Sequence, residues 1–252
     1  MSTRLIHEAV VAAVTAATHS MPRPLAVLDI GAGRGELLAL LSQTTSIAAK
    51  ACDYHVDRFA LEDIDIVRVD VNREPLPYAD QSFDVVCCSE VIEHVENFRE
   101  LLRQAHRVLK PGGVLVVTTP NVLNLKSRVR YLVCGFPSLF GPLPVKNENR
   151  ASTGGHITPI PYFYLAHALL DADFVDIELT TDKHQSTSRA LNFVLAPLLA
   201  LGWKRFMRRE SRVFQTIDAT NEVHVRQHRS RELILGRTVV CSARRPRLAT
   251  AS

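Results

Sequence analysis

Apolar residues fall along this chain in two rhythms. Short unbroken runs cover Leu25–Ile30, Ser46–Cys52, Ile64–Val69, Ser82–Cys88 and Val114–Thr118. Continuous apolar runs of this length, closed by glycine or an acid, are what strands buried on both faces look like. Helical stretches lie between and before them, at residues 4–18, Glu36–Leu41 and Asn97–Leu109. In the last of these, Phe98, Leu101, Leu102, Ala105, Val108 and Leu109 recur at i, i+3, i+4 spacing and make one apolar stripe. Lys110-Pro-Gly-Gly113 then supplies turn chemistry that stops the helix. Strands alternating with helices predict an α/β fold with a doubly wound, mostly parallel sheet.

The later chain is less regular. Residues 120–160 carry several Pro and Gly and one long polar stretch, Lys146–Gly155, which reads as a functional loop on the acceptor side. Pro161–Leu170 predicts a helix and Phe174–Leu179 a strand. Residues 183–230 read as an insertion, and Leu233–Cys241 as the final strand. No clear crossover helix separates the last two strands, so an antiparallel edge strand is expected. The whole chain, 1–252, is expected to be a single domain around seven strands.

Composition narrows the function. With 46% hydrophobic and 22% charged residues, the chain can bury a sizeable core. A net charge of +4 gives no nucleic-acid signal. Cysteines 52, 87, 88, 134 and 241 are odd in number and show no C-x-x-C spacing. They predict buried thiols in a reducing compartment rather than disulfides or zinc ligands. Without a signal-peptide pattern or an apolar run of about 18 residues, a cytoplasmic protein is expected.

The strongest motif is Val27-Leu-Asp-Ile-Gly-Ala-Gly-Arg-Gly-Glu36. An apolar strand runs directly into Gly31, Gly33 and Gly35, which let the backbone turn sharply and a ligand approach closely. In open α/β sheets such a loop lies where ligands bind, beyond the carboxyl ends of the strands. Dinucleotide folds use G-x-G-x-x-G. Here the third glycine comes one residue early, and Asp29 sits inside the strand, which suits a cationic ligand better than a phosphate. Asp53 and Asp70 close the second and third strands. An acid at Asp53 can accept hydrogen bonds from ribose hydroxyls.

This pattern resembles the class I S-adenosylmethionine-dependent methyltransferases, in the methyltransferase type 11 and ubiquinone-pathway O-methyltransferase group. Pro75–Asp84 and Val108–Gly113 also match that family, and the likeness covers roughly residues 25–180 before returning at the last strand. The resemblance implies a Rossmann-like fold and S-adenosyl-L-methionine as cofactor. It implies that Asp29, Gly31, Ala32, Gly33, Gly35, Asp53, Asp70, Val71 and Ser89 hold that cofactor, with Asp29 near the methionine and Asp70 near the adenine.

Glu90-Val-Ile-Glu-His94 follows the fourth strand. If the stretch is helical, Glu90, Glu93 and His94 share one face. Two carboxylates and an imidazole could there hold a divalent metal ion, or His94 could act as a catalytic base. Glu-x-x-Glu-His resembles the motif of ubiquinone-pathway O-methyltransferases and of small-RNA 3′-end 2′-O-methyltransferases. In the latter a downstream His completes a metal site, a part His156 could play here. The competing reading makes these residues packing and hydrogen-bonding partners of the cofactor loop.

Residues 190–209 join an apolar stretch to Trp203 and a basic cluster. They predict a core or dimer helix, or a peripheral contact with the inner face of the membrane. The acceptor expected from all this is a hydroxyl on a small molecule, a sugar or a lipid-linked intermediate. Two alternatives are a non-catalytic S-adenosylmethionine-binding scaffold and, less favoured by the glycine spacing, an NAD(P)-dependent oxidoreductase.

Overall fold

A computed structural model describes residues 3–143 and 155–247. The middle of the 120–160 segment, including most of Lys146–Gly155, lies outside the described residues. The chain begins with α1 (Arg4–Thr18), β1 (Leu25–Ile30), α2 (Glu36–Thr44), β2 (Ile47–Asp53) and β3 (Ile66–Arg68). It continues through β4 (Phe83–Ser89), α3 (Phe98–Val108), β5 (Leu109–Pro120) and α4 (Leu125–Cys134). Then come α5 (Tyr162–Asp171), β6 (Val175–Thr180), α6 (Ser186–Arg209), α7 (Glu222–Gln227), α8 (Arg231–Leu235) and β7 (Thr238–Arg244).

The seven strands form one sheet in the order β3-β2-β1-β4-β5-β7-β6. β7 runs antiparallel to both neighbours, so the expected antiparallel pairing stands at this edge, with β6 outermost. Every other described pairing is parallel. The central strands are apolar on both faces because helices cover both. Leu28, Ile30, Val86, Leu115 and Cys241 face α3 and α5 in one buried cluster. Val27, Val85, Cys87, Val116 and Val240 face α1 and α2 in the other. Four of the five cysteines are buried as free thiols, and Cys134 is exposed.

Two expectations are corrected. Leu233-Ile-Leu235 belongs to α8, not to the last strand. Ser230 caps this helix by accepting the Leu233 N–H at 3.3 Å, and the Asn121 amide donates to the carbonyls of Glu232, Leu233 and Gly236 at its end. Those caps satisfy backbone groups a strand would have paired elsewhere. The second correction concerns residues 190–209. They form most of the 24-residue α6, but only Ser188 in that helix is buried. Phe193 is 88% exposed and Val194 73%, so this is not a core helix. Leu191 and Leu199 alone pack onto a small cluster of Leu125, Ile234 and Leu235.

Lys110-Pro-Gly-Gly113 bulges out within β5. Phe83 pairs with Leu109 and Val85 with Val114, so four residues of β5 face a single residue of β4. Among the described residues, no helix is long and apolar enough to cross a membrane.

Candidate functional site

The glycine loop leaves β1 at the carboxyl edge of the sheet. Gly31, Gly33 and Gly35 all take positive φ, at 73°, 57° and 85°. A Cβ on Gly31 would collide with Val91 Cγ2, so the loop is pressed against the segment after β4. A Cβ on Gly33 would meet nothing within 4 Å, so Gly33 borders open space. Asp53 ties the loop down: Oδ2 accepts the Gly33 N–H at 2.8 Å and Oδ1 the His55 N–H at 2.8 Å.

Beside the loop lies a cleft of about 270 Å³. Gly31, Asp53, Asp70, Val71, Glu90 and His94 line it. Of the predicted cofactor residues, Gly31, Asp53, Asp70 and Val71 are thus brought to one cavity. Asp29, Ala32 and Ser89 are buried around it, and Gly33 and Gly35 shape the loop. Burial pushes the Asp29 carboxyl up to about 8, and the Asp53 charge adds to the shift. Sequence reasoning missed Tyr54, Arg58, Asn72, Val91 and Val95, which also line the cleft. Tyr54 had a signal, standing directly after the strand-end acid; Arg58 comes from a short 3₁₀ turn with none.

The Glu90–His94 stretch is not one helix. Glu90 sits at φ 57°, and only Ile92–His94 form a 3₁₀ turn. Glu90 is turned toward β5: its Oε1 accepts the Thr118 hydroxyl at 3.0 Å. Burial raises its carboxyl to about 7 against that bond. Glu93 points the other way, into the protein, and is fully buried. Among the described residues no donor reaches its carboxylate oxygens in good hydrogen-bond geometry, though the Thr119 hydroxyl and the Glu93 backbone N–H lie close enough to favour the ionised form. Burial, then the Glu90 charge, holds its carboxyl well above the usual range.

The backbone carbonyl of Glu93 accepts the N–H groups of Ile157 and Thr158, at 2.9 and 3.0 Å. This brings the segment after residue 154 back over the 3₁₀ turn. His94 Nδ1 lies 2.9 Å from the Gly155 carbonyl. A carbonyl only accepts, so Nδ1 carries the proton and Nε2 keeps its lone pair. Burial lowers the pKa of His94, which favours that neutral ring. His156 is also held neutral by burial, with His94 adding to the effect, and its pKa falls to about 4. Its Nδ1 is buried without a partner.

Glu93, His94 and His156 therefore each direct one ligand atom to a common point, all within 4.8 Å of one another. Three of the four predicted metal ligands converge, and Glu90 stands apart on Thr118. Two imidazoles and a carboxylate with free lone pairs match the donor set of a divalent transition metal. The buried Glu93 carboxyl fits such an ion, because a cation beside it would offset the burial and the Glu90 charge that disfavour its ionised form.

A second cavity opens on the far side of His156. It measures about 760 Å³, and its wall includes Arg128, Tyr131, Phe136, Phe140, Pro142 and His156. The sequence signal for it was the run of aromatics, Pro and Gly between Tyr131 and Leu143.

Comparison with known proteins agrees with this geometry. A family described as "Methyltransferase domain" matches residues 4–179. The 27-O-demethylrifamycin SV methyltransferase of Amycolatopsis mediterranei is 36% identical over 100 residues, covering 36% of this chain and 37% of that protein. The ubiquinone/menaquinone biosynthesis C-methyltransferase UbiE of Nitrobacter hamburgensis is 33% identical over 101 residues, covering 36% of this chain and 40% of that protein. The aligned stretch thus spans about two-fifths of the length of these relatives. In fold, the chain is similar to a SAM-dependent methyltransferase from Archaeoglobus fulgidus, with a TM-score of 0.56 at 18% identity over 94% of both chains. It is likewise similar to the [4+2]-cyclase SpnF, with a TM-score of 0.54 at 18% identity over 96% of this chain and 81% of that one. The glycine loop, the strand-end acids and the match over most of the chain lead to one assignment: this chain belongs to the methyltransferase-domain family.

Proposed function

We propose that this chain transfers a methyl group from S-adenosylmethionine to a hydroxyl oxygen of an apolar small molecule. One observation carries the reading. His94 lines the cleft beside the glycine loop, and its ring meets that of His156, which lines the larger apolar cavity. Donor and acceptor cavities thus share a wall of two neutral imidazoles.

The reaction needs little else. The acceptor oxygen attacks the sulfonium methyl carbon in line, the C–S bond breaks with its electron pair left on sulfur as the C–O bond forms, and the hydroxyl proton passes to solvent water. Glu93, His94 and His156 would hold a divalent cation at that wall. Such an ion would supply Lewis acidity, lowering the pKa of the hydroxyl. The donor set suits Mn²⁺, Fe²⁺ or Zn²⁺ better than Mg²⁺. The buried carboxylate of Glu93 supports this reading over a bare His94 base. Transfer from methyl-deuterated S-adenosylmethionine, with the label located by NMR, tests the acceptor atom. Label on oxygen is expected; label on carbon would overturn the O-methyl assignment, and no transfer at all would return the scaffold alternative.

We further propose that α6 rests on an anionic lipid surface, at the cytoplasmic face of the membrane. Phe193, Val194, Leu198 and Leu201 are each at least 67% exposed and share one side of the helix. Lys204, Arg205 and Arg208 continue that side and are also exposed. An apolar stretch followed by exposed cations complements acyl chains and anionic headgroups. A homodimer through the same face is the competing outcome.

A further inference from the structure

We infer that the acceptor carries an anionic group as well as the methylated hydroxyl, and that Arg128 binds it. The inference rests on the reading of the larger cavity as the acceptor pocket. Arg128 stands on α4 as a charged wall residue of an otherwise largely apolar cavity. Its position is fixed: Nε donates to the Leu123 carbonyl at 2.5 Å. The two terminal nitrogens make no hydrogen bond or ion pair among the described residues, whose ion pairs include neither Arg128 nor Arg229. The charge that bears on Arg128 is itself positive, that of Arg229, and His228 feels Arg128 in turn. Burial and this repulsion both disfavour the cation.

A guanidinium held by one nitrogen, half-buried among apolar side chains and next to a second guanidinium, is poorly stabilised by its own protein. Two parallel N–H donors to a carboxylate or phosphate would correct that, and the pairing is strong and directional. His156 lies on the wall of the same cavity, so an acceptor could meet Arg128 with its anion and the imidazole pair with its hydroxyl. Nothing else in the cavity asks for an anion: Tyr131, Phe136, Phe140 and Pro142 suit a flat apolar body. The acceptor class is therefore an apolar hydroxy-acid or its phosphate counterpart.

The test is binding, read by fluorescence with the cofactor product S-adenosylhomocysteine present. Naphthoate, naphthyl phosphate and the neutral naphthamide serve as probes of matched shape. Wild type should prefer an anionic probe to the amide by about tenfold or more. The stronger of the two anions then separates a carboxylate from a phosphate acceptor. Arg128→Gln should erase the preference while leaving amide binding and S-adenosylhomocysteine affinity unchanged. Arg205→Gln, an exposed cation on α6, should leave it intact. Equal binding of amide and anions by wild type, or a preference that survives Arg128→Gln, would overturn the assignment. A hydroxynaphthoate separates this from the earlier reading: binding that depends on Arg128 but is followed by no methyl transfer would sink the O-methyl reading and leave the anion site standing.

Discussion

His94 and His156 meet edge to face, with ring centroids 4.8 Å apart and planes at 82°. His94 follows β4 and His156 precedes α5. They are brought together by the Glu93 carbonyl, which holds Ile157 and Thr158, and by the Gly155 carbonyl, which fixes His94. The pair is thus a product of backbone hydrogen bonding rather than of sequence spacing.

The proposed metal site of this pair and Glu93 makes turnover metal-dependent if it is occupied. Treatment with a chelator is expected to abolish methyl transfer, and added Mn²⁺, Fe²⁺ or Zn²⁺ to restore it. His156→Ala should lower kcat by about 10–100-fold, with no rescue by added metal. S-adenosylhomocysteine affinity, measured by calorimetry, should not change, since His156 is not part of the cofactor cleft. Full turnover after chelation would leave His94 as a simple base, recognisable by a pH–rate profile whose acidic limb is lost in His94→Ala.

The three loop glycines should respond unequally to substitution. Gly33→Ala adds a Cβ in open space at φ 57°, so its cost is about 1–2 kcal/mol of backbone strain alone. Gly31→Ala carries the same kind of strain and drives a Cβ into Val91. It should destabilise more and weaken S-adenosylhomocysteine binding, because Val91 also lines the cleft. Thermal melts and calorimetry on the two variants check this. Equal losses would mean the loop is not pressed against Val91.

Asp29 makes the free protein lose stability as pH rises from about 4 to about 8. Unfolded, the carboxyl releases its proton near its ordinary value of 3.8; folded, it keeps the proton up to about 8. Between those values the folded state binds more protons, so stability declines as pH rises. Asp29→Asn should remove that decline and leave the protein more stable than wild type at pH 8. Urea titrations at several pH values decide the matter. An unchanged slope in Asp29→Asn would assign the decline to another group.

The sheet, and the meeting of Gly31, Asp53, Asp70 and Val71 at one cleft, were largely legible in the sequence, and the reasons are local. β1 and its glycine loop follow directly from an apolar run meeting three glycines, and Asp53 and Asp70 are marked by their place at strand ends. The errors arose where distant residues decide. Leu233–Leu235 is as apolar as a strand, but Asn121, far away in the chain, caps it as a helix end. The Glu90–His94 spacing fits a helix face, but Thr118 on the neighbouring strand draws Glu90 away from Glu93. The exposed side of α6 could not be told from a buried one by periodicity, since a helix that is apolar over several turns reads alike in either place.

The α6 surface predicts binding without a folding penalty. Replacing Phe193, Leu198 and Leu201 by Gln should each change stability by less than about 0.5 kcal/mol, as expected of exposed positions. The triple variant should lose association with vesicles containing anionic lipid, and raised salt should weaken binding of the wild type. A wild type that ignores vesicles but sediments as a dimer, with the triple variant monomeric, would assign this face to self-association.

The position of β7 between β5 and β6 has a consequence for synthesis. β6 emerges from the ribosome before β7 exists, and its place in the sheet is beside a strand not yet made. Until Thr238–Arg244 arrive, β5 presents an open row of N–H and C=O groups along Val114–Pro120, and β6 has no strand partner. Open edges of this kind invite pairing with other chains. Nascent chains stalled between the two strands are thus the aggregation-prone species, and closure of this edge of the sheet waits on seven residues made after the whole of α6.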